Sequence, residues 1–369
     1  MNLLEPKNDI CPHSFAYVND QNKQTSKPAC NGCQLWSIPY SEQLESKKND
    51  LKNKLNTHIA IEVKTAGDRG HRTRFDFTVE NQIIGLYSTE KQLIPLSTCW
   101  QLTPELKKAY DELKNRSFPF KKGSLRLRVS PENKWGLWLD LANIDIKQLL
   151  IEKNFLIELS KKFSIEIGQR KKTLDPNSFN SEQLKLTDPV PDTWFQALNQ
   201  PLYCAISSFT QPSWQTGDLL IQTVLEWIAP ESLKTQSVYE YGCGIGPFTT
   251  QLLKAGATVY AFENDSFAIE CLKLNTQSYS QRLRINIESQ DSIPVALVNP
   301  PRSGLATFTD ILLKKNPEFI IYVSCFPETL QKDLMKLSNH YEMKKVTLVD
   351  QFPQTHHYEA CVLLQRINR

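Results

Sequence analysis

Long apolar runs are missing from this 369-residue chain. None approaches the ~18–20 residues a bilayer span needs. The opening Met1-Asn-Leu-Leu-Glu-Pro-Lys7 lacks the charged-then-apolar pattern of a secretory leader. A cytoplasmic protein without a membrane partner is the expectation. Extreme charge is missing too, since 43 Lys and Arg stand against 40 Asp and Glu. With 40% hydrophobic and 22% charged residues, wholesale disorder is excluded. No internal repeat is found. The nine cysteines are an odd number, which with no leader argues against a disulfide framework.

The length suggests two domains and a small third module. The charge is uneven along the chain. Residues 51–172 hold 23 Lys/Arg against 14 Asp/Glu, whereas residues 201–369 hold 14 against 16. A basic middle beside a near-neutral C-terminal half suits one part that grips a polyanion and another that does chemistry. A merely solvated basic surface explains the charge alone equally well.

Hydrophobic spacing predicts a helix from Ser41 to Leu55, with Leu44, Leu51 and Leu55 on one face. From 58 to about 172, period-two runs such as Arg74-Phe-Asp-Phe-Thr-Val79 and Ser124-Leu-Arg-Leu-Arg-Val129 predict strands, with helices near 104–116 and 145–162. Beyond a polar, proline-bearing stretch, a helix at 215–229 is followed by alternating strands and helices. Strands are expected near 238–241, 258–263, 284–288, 295–298 and 319–324, and an antiparallel pair from 346–349 and 360–364 at one sheet edge. The expected divisions are a cysteine segment with its helix (1–57), a basic mixed α/β domain (58–175), a linker (176–193) and a doubly wound domain (194–369).

Four cysteines fall before residue 100: Cys11, Cys30, Cys33 and Cys99. The Cys30-Asn-Gly-Cys33 spacing lets two thiolates hold one metal, and two more sulfurs could complete a zinc site or an iron–sulfur cluster. Histidine is scarce nearby, which favours an all-sulfur site. Free buried thiols are the bland alternative.

Glu240-Tyr-Gly242-Cys-Gly244-Ile-Gly246-Pro ends a strand and opens a helix, where glycines let backbone approach a ligand. The third-glycine spacing of dinucleotide sites is missing. Glu263 ends the next strand, where a carboxylate can accept from ribose hydroxyls. Together these read as an S-adenosylmethionine (SAM) site, with a nicotinamide site as runner-up.

Two further segments carry chemistry, Asn299-Pro-Pro-Arg302 and Tyr322-Val-Ser-Cys325-Phe-Pro-Glu-Thr-Leu330. Asn-Pro-Pro after a fourth strand suits methylation of planar amino groups. That reaction gives no role to a cysteine ending the fifth strand. Methylation of uracil C5 does, because C5 becomes nucleophilic only after a thiolate adds at C6.

With these segments, and with Asp350-Gln-Phe-Pro-Gln-Thr-His-His-Tyr-Glu359, the chain resembles the bacterial RNA uracil-C5 methyltransferases, most closely the compact 23S ribosomal RNA enzymes with a [4Fe–4S] cluster. The resemblance implies a C-terminal Rossmann-like class I domain with a seven-stranded, mostly parallel sheet. It also implies Cys325 as nucleophile and Glu359 as general base. Gln211, Gly242, Glu263 and Asn299 would contact SAM alongside Glu240, Gly244 and Gly246, with Asp291 on the adenine side. Cys11, Cys30, Cys33 and Cys99 would bind the cluster, and the partner would be rRNA or tRNA with a flipped uridine. Basic residues expected to face RNA are Arg72, Arg74, Lys121, Lys122, Arg126 and Arg128, and a monomer is expected. Two alternatives stand beside this: an amino-group methyltransferase using Asn299-Pro-Pro, and a catalytically degenerate RNA-binding paralogue, to which Phe326, Ser213 and Gly242 point.

Overall fold

The run Val295-Ala-Leu-Val298 is buried at every position, and Phe319–Ser324 at all but its first. Strands covered on both faces belong in the middle of a parallel sheet. Their side chains alternate between two cores. Val295, Leu297, Ile321 and Val323 enter one, while Ala296, Val298, Ile320 and Tyr322 enter the other. The computed structural model describes residues 10–14, 29–228, 236–289 and 293–367. Asp291 lies outside them.

The strands, in chain order, begin with β1 (Ile61–Thr65), β2 (Arg74–Glu80), β3 (Ile83–Tyr87), β4 (Leu93–Ile94), β5 (Lys122–Val129), β6 (Trp135–Asp140), β7 (Phe163–Ile167), β8 (Lys172–Leu174) and β9 (Leu186–Thr187). A hairpin of β10 (Asp192–Ala197) and β11 (Gln200–Cys204) follows. The last seven are β12 (Ser237–Tyr241), β13 (Thr258–Phe262), β14 (Leu283–Ile285), β15 (Val295–Val298), β16 (Phe319–Ser324), β17 (Tyr341–Asp350) and β18 (Glu359–Arg366).

Those seven lie in the order β14-β13-β12-β15-β16-β18-β17, and only β18 runs antiparallel to its neighbours. The strand order reverses at β12, which opens a crevice beyond the carboxyl ends of the strands. All seven expected strands are present, and the sheet carries an eighth. β1 pairs in parallel with β17, from Ile61 opposite Val346 to Thr65 opposite Asp350. The β17–β18 pair is therefore not at the edge. The physical reason is that β17 spans ten residues and would otherwise expose a long unpaired edge. Helix Tyr40–Leu55 packs on the same side, with Leu51 and Leu55 in one core with Tyr322, Leu348 and Ala360. Residues 40–65 thus belong with the C-terminal sheet, not with a separate cysteine module and the start of the basic domain.

The basic sheet has the order β4-β3-β2-β5-β6-β7-β8-β9. It is antiparallel except between β6 and β7, which helices Asn143–Ile151 and Lys153–Ser160 connect. The stretch expected as a free linker is instead folded into this sheet, since β8 pairs with β9. The two halves meet at the loop 205–213. Glu166 accepts from the Ile206 and Ser207 N–H groups at 2.7 and 2.9 Å, and Thr73 N–H donates to the Pro212 carbonyl at 2.9 Å. Among the described residues, no helix is long and apolar enough to cross a membrane.

Candidate active site

Gly242, Gly244 and Gly246 turn the chain out of β12 with φ of +74°, +56° and +87°. A Cβ at Gly242 would stand 2.7 Å from the Asn299 carbonyl oxygen, and one at Gly246 would stand 2.4 Å from Leu272. A Cβ at Gly244 would meet nothing within 4 Å. That open backbone is where a ligand can lie. Glu263 bounds it from the end of β13, its carboxylate accepting from the N–H groups of Gly244 (2.9 Å), Asn264 (2.7 Å) and Asp265 (3.0 Å). Asn299 starts the loop after β15, with its N–H on the Tyr241 carbonyl at 3.1 Å.

Glu240 is placed differently. It is buried under the turn and accepts from the Thr249 hydroxyl at 2.6 Å. Burial pushes its carboxyl up to about 7. It anchors helix Pro247–Lys254 to β12 and does not face the crevice.

Gln211 lies on the loop 205–213, its Oε1 accepting from Gln351 at 2.6 Å, and that loop is clamped from the basic sheet. Arg128 is 1% exposed and donates to the Ser208 carbonyl at 2.7 Å, the Ala205 carbonyl at 3.2 Å and the Thr210 hydroxyl at 3.0 Å. Arg126 donates to the Ser207 carbonyl at 2.8 Å and pairs with Asp76 at 2.6 Å. The expectation that Arg128 faces RNA is corrected. Alternation along β5 pointed it to one face, but the loop covers that face. Arg74 stacks over Phe209, which is 78% exposed. Burial and the like charges of Arg126 and Arg128 bring the Arg74 guanidinium down to about 9. Lys121 and Lys122 are exposed.

Cys325 follows β16 and Glu359 begins β18, with Ser324 opposite Ala360 in the register between them. Burial and the charge of Glu359 raise the Cys325 thiol, while Arg302 opposes the rise by its charge and a hydrogen bond. Glu359 is 3% exposed, and burial raises its carboxyl to about 8 against the pull of Arg302. Arg302, which sequence reading left without a role, therefore bears on both groups. Its signal was its place directly after Asn299-Pro-Pro.

Gln351 was also missed. Its Nε2 donates to Glu359 Oε1 at 3.0 Å and to Gln211 Oε1 at 2.6 Å. The loop it sits on is braced from helix Tyr40–Leu55. Lys47 donates to Asp350 at 2.7 Å in a fully buried pair, and Gln43 exchanges hydrogen bonds with Gln354. His357 packs edge-on to Phe352, and His356 is exposed.

Cys11, Cys30, Cys33 and Cys99 line one cavity of about 40 Å³ with Trp36, Arg72, Trp100, Pro353 and Thr355. Burial pushes Cys99 up to about 12 and Cys33 well above the ordinary thiol range; neighbouring thiols push both the same way, and Arg72 opposes them. Arg72 lies between this cavity and the C-terminal loop, its guanidinium 5.1 Å from the Phe352 ring centroid. Among the described residues, no group of three or more His, Cys, Asp or Glu side chains is arranged to hold a metal ion.

The strand order and the glycine turn at its reversal point define a class I SAM-dependent methyltransferase. A model of the tRNA (Uracil-5-)-methyltransferase family matches residues 273–367. An uncharacterized RNA methyltransferase of Bdellovibrio bacteriovorus is 37% identical over 369 residues, covering 92% of this chain and 94% of the relative. The 23S rRNA (uracil(747)-C(5))-methyltransferase RlmC of Pectobacterium atrosepticum is 24% identical, covering 92% of this chain and 98% of the relative. Among solved structures, the Pyrococcus abyssi tRNA (uracil-54, C5)-methyltransferase in complex with S-adenosyl-L-homocysteine shares the fold. Its TM-score is 0.67 at 21% identity, covering 92% of this chain and 87% of that one. The chain belongs to the RNA uracil-C5 methyltransferase family and is a methyltransferase enzyme.

Proposed function

We propose that this enzyme methylates C5 of a uridine in RNA, with Cys325 as nucleophile and Glu359 as general base. The observation that carries the reading is the convergence of thiol, carboxylate and Arg302 at one end of the β16–β18 pair. The crevice with Gly244, Glu263, Asn299 and Gln211 supports SAM as methyl donor, with Gly242 and Gly246 shaping the turn.

A base inside a helix cannot meet both a thiol and a sulfonium, so the target uridine leaves its stack. The Cys325 thiolate adds at C6, and the electron pair released to C5 attacks the donor's methyl carbon, with the sulfonium sulfur as leaving group. Glu359 takes the C5 proton. The electrons left at C5 expel the sulfur from C6, which restores the double bond and the thiolate. Full-length similarity to ribosomal RNA enzymes supports 23S rRNA over tRNA as the substrate class. Of the basic groups, the exposed Lys121 and Lys122 support a contact with its backbone, whereas the guanidinium nitrogens of Arg72 and Arg74 are largely buried.

The four cysteines lining one cavity are an all-sulfur donor set, which suits a [4Fe–4S] cluster. Bound there, a cluster would tie the segments holding Cys11, Cys30 and Cys33 to Cys99 beside the loop Pro353–Thr355. Its assignment is tested by iron and acid-labile sulfide counts on anaerobically purified protein, and colourless protein with stoichiometric zinc would overturn it. The methylation reading is tested by tritium release from RNA carrying [5-³H]uridine, because only substitution at C5 frees that hydrogen. Methyl incorporation without tritium release would point to amino-group methylation, and neither signal to a degenerate RNA-binding protein.

A further inference from the structure

We propose that Gln351 is a positioning residue of this site, a single amide that fixes which oxygen of Glu359 faces the substrate and which end of Gln211 faces the ligand. The inference rests on the reading of Glu359 as base.

Gln351 is 1% exposed, so its amide has no water to satisfy it. Its Oε1 accepts from the Thr216 hydroxyl at 3.1 Å. Its Nε2 carries two hydrogens and has two acceptors, Glu359 Oε1 at 3.0 Å and Gln211 Oε1 at 2.6 Å. Both Nε2 hydrogens and one of the two Oε1 lone pairs are thereby used. The amide could not be turned round while Glu359 is ionised, because Oε1 would then face a carboxylate oxygen.

The neighbours are constrained in turn. Glu359 Oε1 is occupied by a donor, and no hydrogen bond among the described residues reaches Oε2. Oε2 is therefore the oxygen left to take a proton. Gln211 must offer its Oε1 to Gln351, so its amino group becomes the donor turned to the crevice. A hydrogen bond to the ionised form also favours that form, which offsets part of the burial acting on Glu359. The other groups that bear on this carboxylate are Arg302 from the loop after β15, Cys325 from the end of β16 and Cys361 on its own strand. Asp350, next to Gln351, is already paired with Lys47.

The test is single-turnover tritium release from [5-³H]uridine RNA, followed from about pH 6 to pH 9.5. Gln351→Met keeps the length and loses the hydrogen bonds. Its acid limb is expected about one pH unit above wild type, the tenfold change of one charge-assisted hydrogen bond. Gln351→Glu, which sets a second carboxyl against Glu359, is expected to move the limb further in the same direction. Thr216→Val removes the donor that orients the amide. It is expected to give a smaller displacement of the same sign, and it carries the test if the Gln351 variants melt early. A residue that only filled space would lower the rate at every pH and leave the limb in place. An acid limb at the wild-type pH in both the Met and Val variants, with Glu359→Gln inactive, overturns this inference alone. Full tritium release by Glu359→Gln overturns the base assignment beneath it.

Discussion

Ser324 and Ala360 face each other across β16 and β18. Because these strands run antiparallel, the residue after Ser324 and the residue before Ala360 emerge at the same end. Those residues are Cys325 and Glu359. Burial raises the proton affinity of both, the Glu359 charge adds to the rise at Cys325, and Arg302 is the cation that counters both. The thiol and the carboxylate thus emerge at one end of the β16–β18 pair, where the nucleophile and base proposed above would stand together.

Cys325→Ala is expected to lower methyl transfer by at least about a thousandfold, as losing a covalent nucleophile does elsewhere. SAM affinity measured by calorimetry should stay within about twofold, because the sulfur ends a different strand from the glycine turn. Arg302→Met keeps the sulfur but removes its cation, so the Cys325 thiol should titrate higher. Alkylation by iodoacetamide near pH 8 would then slow by about tenfold for every pH unit by which that titration rises. Unchanged methylation in the alanine variant, or unchanged alkylation in the methionine variant, would remove the corresponding role.

Glu359 makes a stability prediction of definite sign. Its folded pKa, about 8, lies above the ordinary carboxylate value. The folded state therefore binds this proton more tightly than the unfolded state. The contribution is fully present below the ordinary carboxylate range and is lost as pH rises to about 8. Glu359→Gln, which never ionises, should raise the melting temperature most above pH 8 and least near pH 5. The gain is expected to be a few kcal/mol, since each pH unit between the folded and unfolded titrations is worth ~1.4 kcal/mol. A melting difference that does not vary with pH would show that Glu359 is not held under this strain.

The candidate site was legible where its chemistry is local. Gly242 to Gly246, Glu263, Asn299, Cys325 and Glu359 all fall at strand ends, and strand ends can be read from apolar runs and glycine turns. What escaped reading depends on pairings made across the chain. Glu62 of β1 bonds Thr347, and Lys47 bonds Asp350, some 285 and 303 residues apart. No local period reports such pairings, so 61–65 was placed with the nearer sheet. Arg128 failed for a related reason: alternation shows which way a side chain points but not what covers it. Glu240 was expected to bind the cofactor, yet its burial and its bond to Thr249 show that it supports the loop from below.

The glycines of the turn should separate binding from stability. Gly244 has open space where a Cβ would go, but its φ is left-handed. Gly244→Ala should cost about 1–2 kcal/mol of stability for that conformation and should weaken SAM, because the methyl group projects into the space meant for ligand. Gly246→Ala would push its Cβ against Leu272 at 2.4 Å and should destabilise more. Calorimetric SAM affinity beside chemical denaturation checks both. A Gly244→Ala protein with wild-type SAM affinity would show that the ligand does not approach that backbone.

The basic sheet holds two kinds of cation, and salt dependence should tell them apart. Lys121 and Lys122 are exposed, and Lys122 lies at the surface beside Tyr87 and Glu80, the latter at 3.5 Å. If they contact phosphates, replacing both with alanine should weaken RNA binding at every sequence. The slope of log affinity against log salt should fall by about 0.7 for each single-strand phosphate no longer neutralised. Arg128 is spent on the carbonyls of the loop 205–210. Arg128→Met should therefore leave that slope unchanged, lower the melting temperature by freeing a buried set of acceptors, and weaken the ligand contact proposed for Gln211, three residues beyond Ser208. A salt slope reduced by Arg128→Met as much as by the lysine changes would place this arginine on the RNA after all.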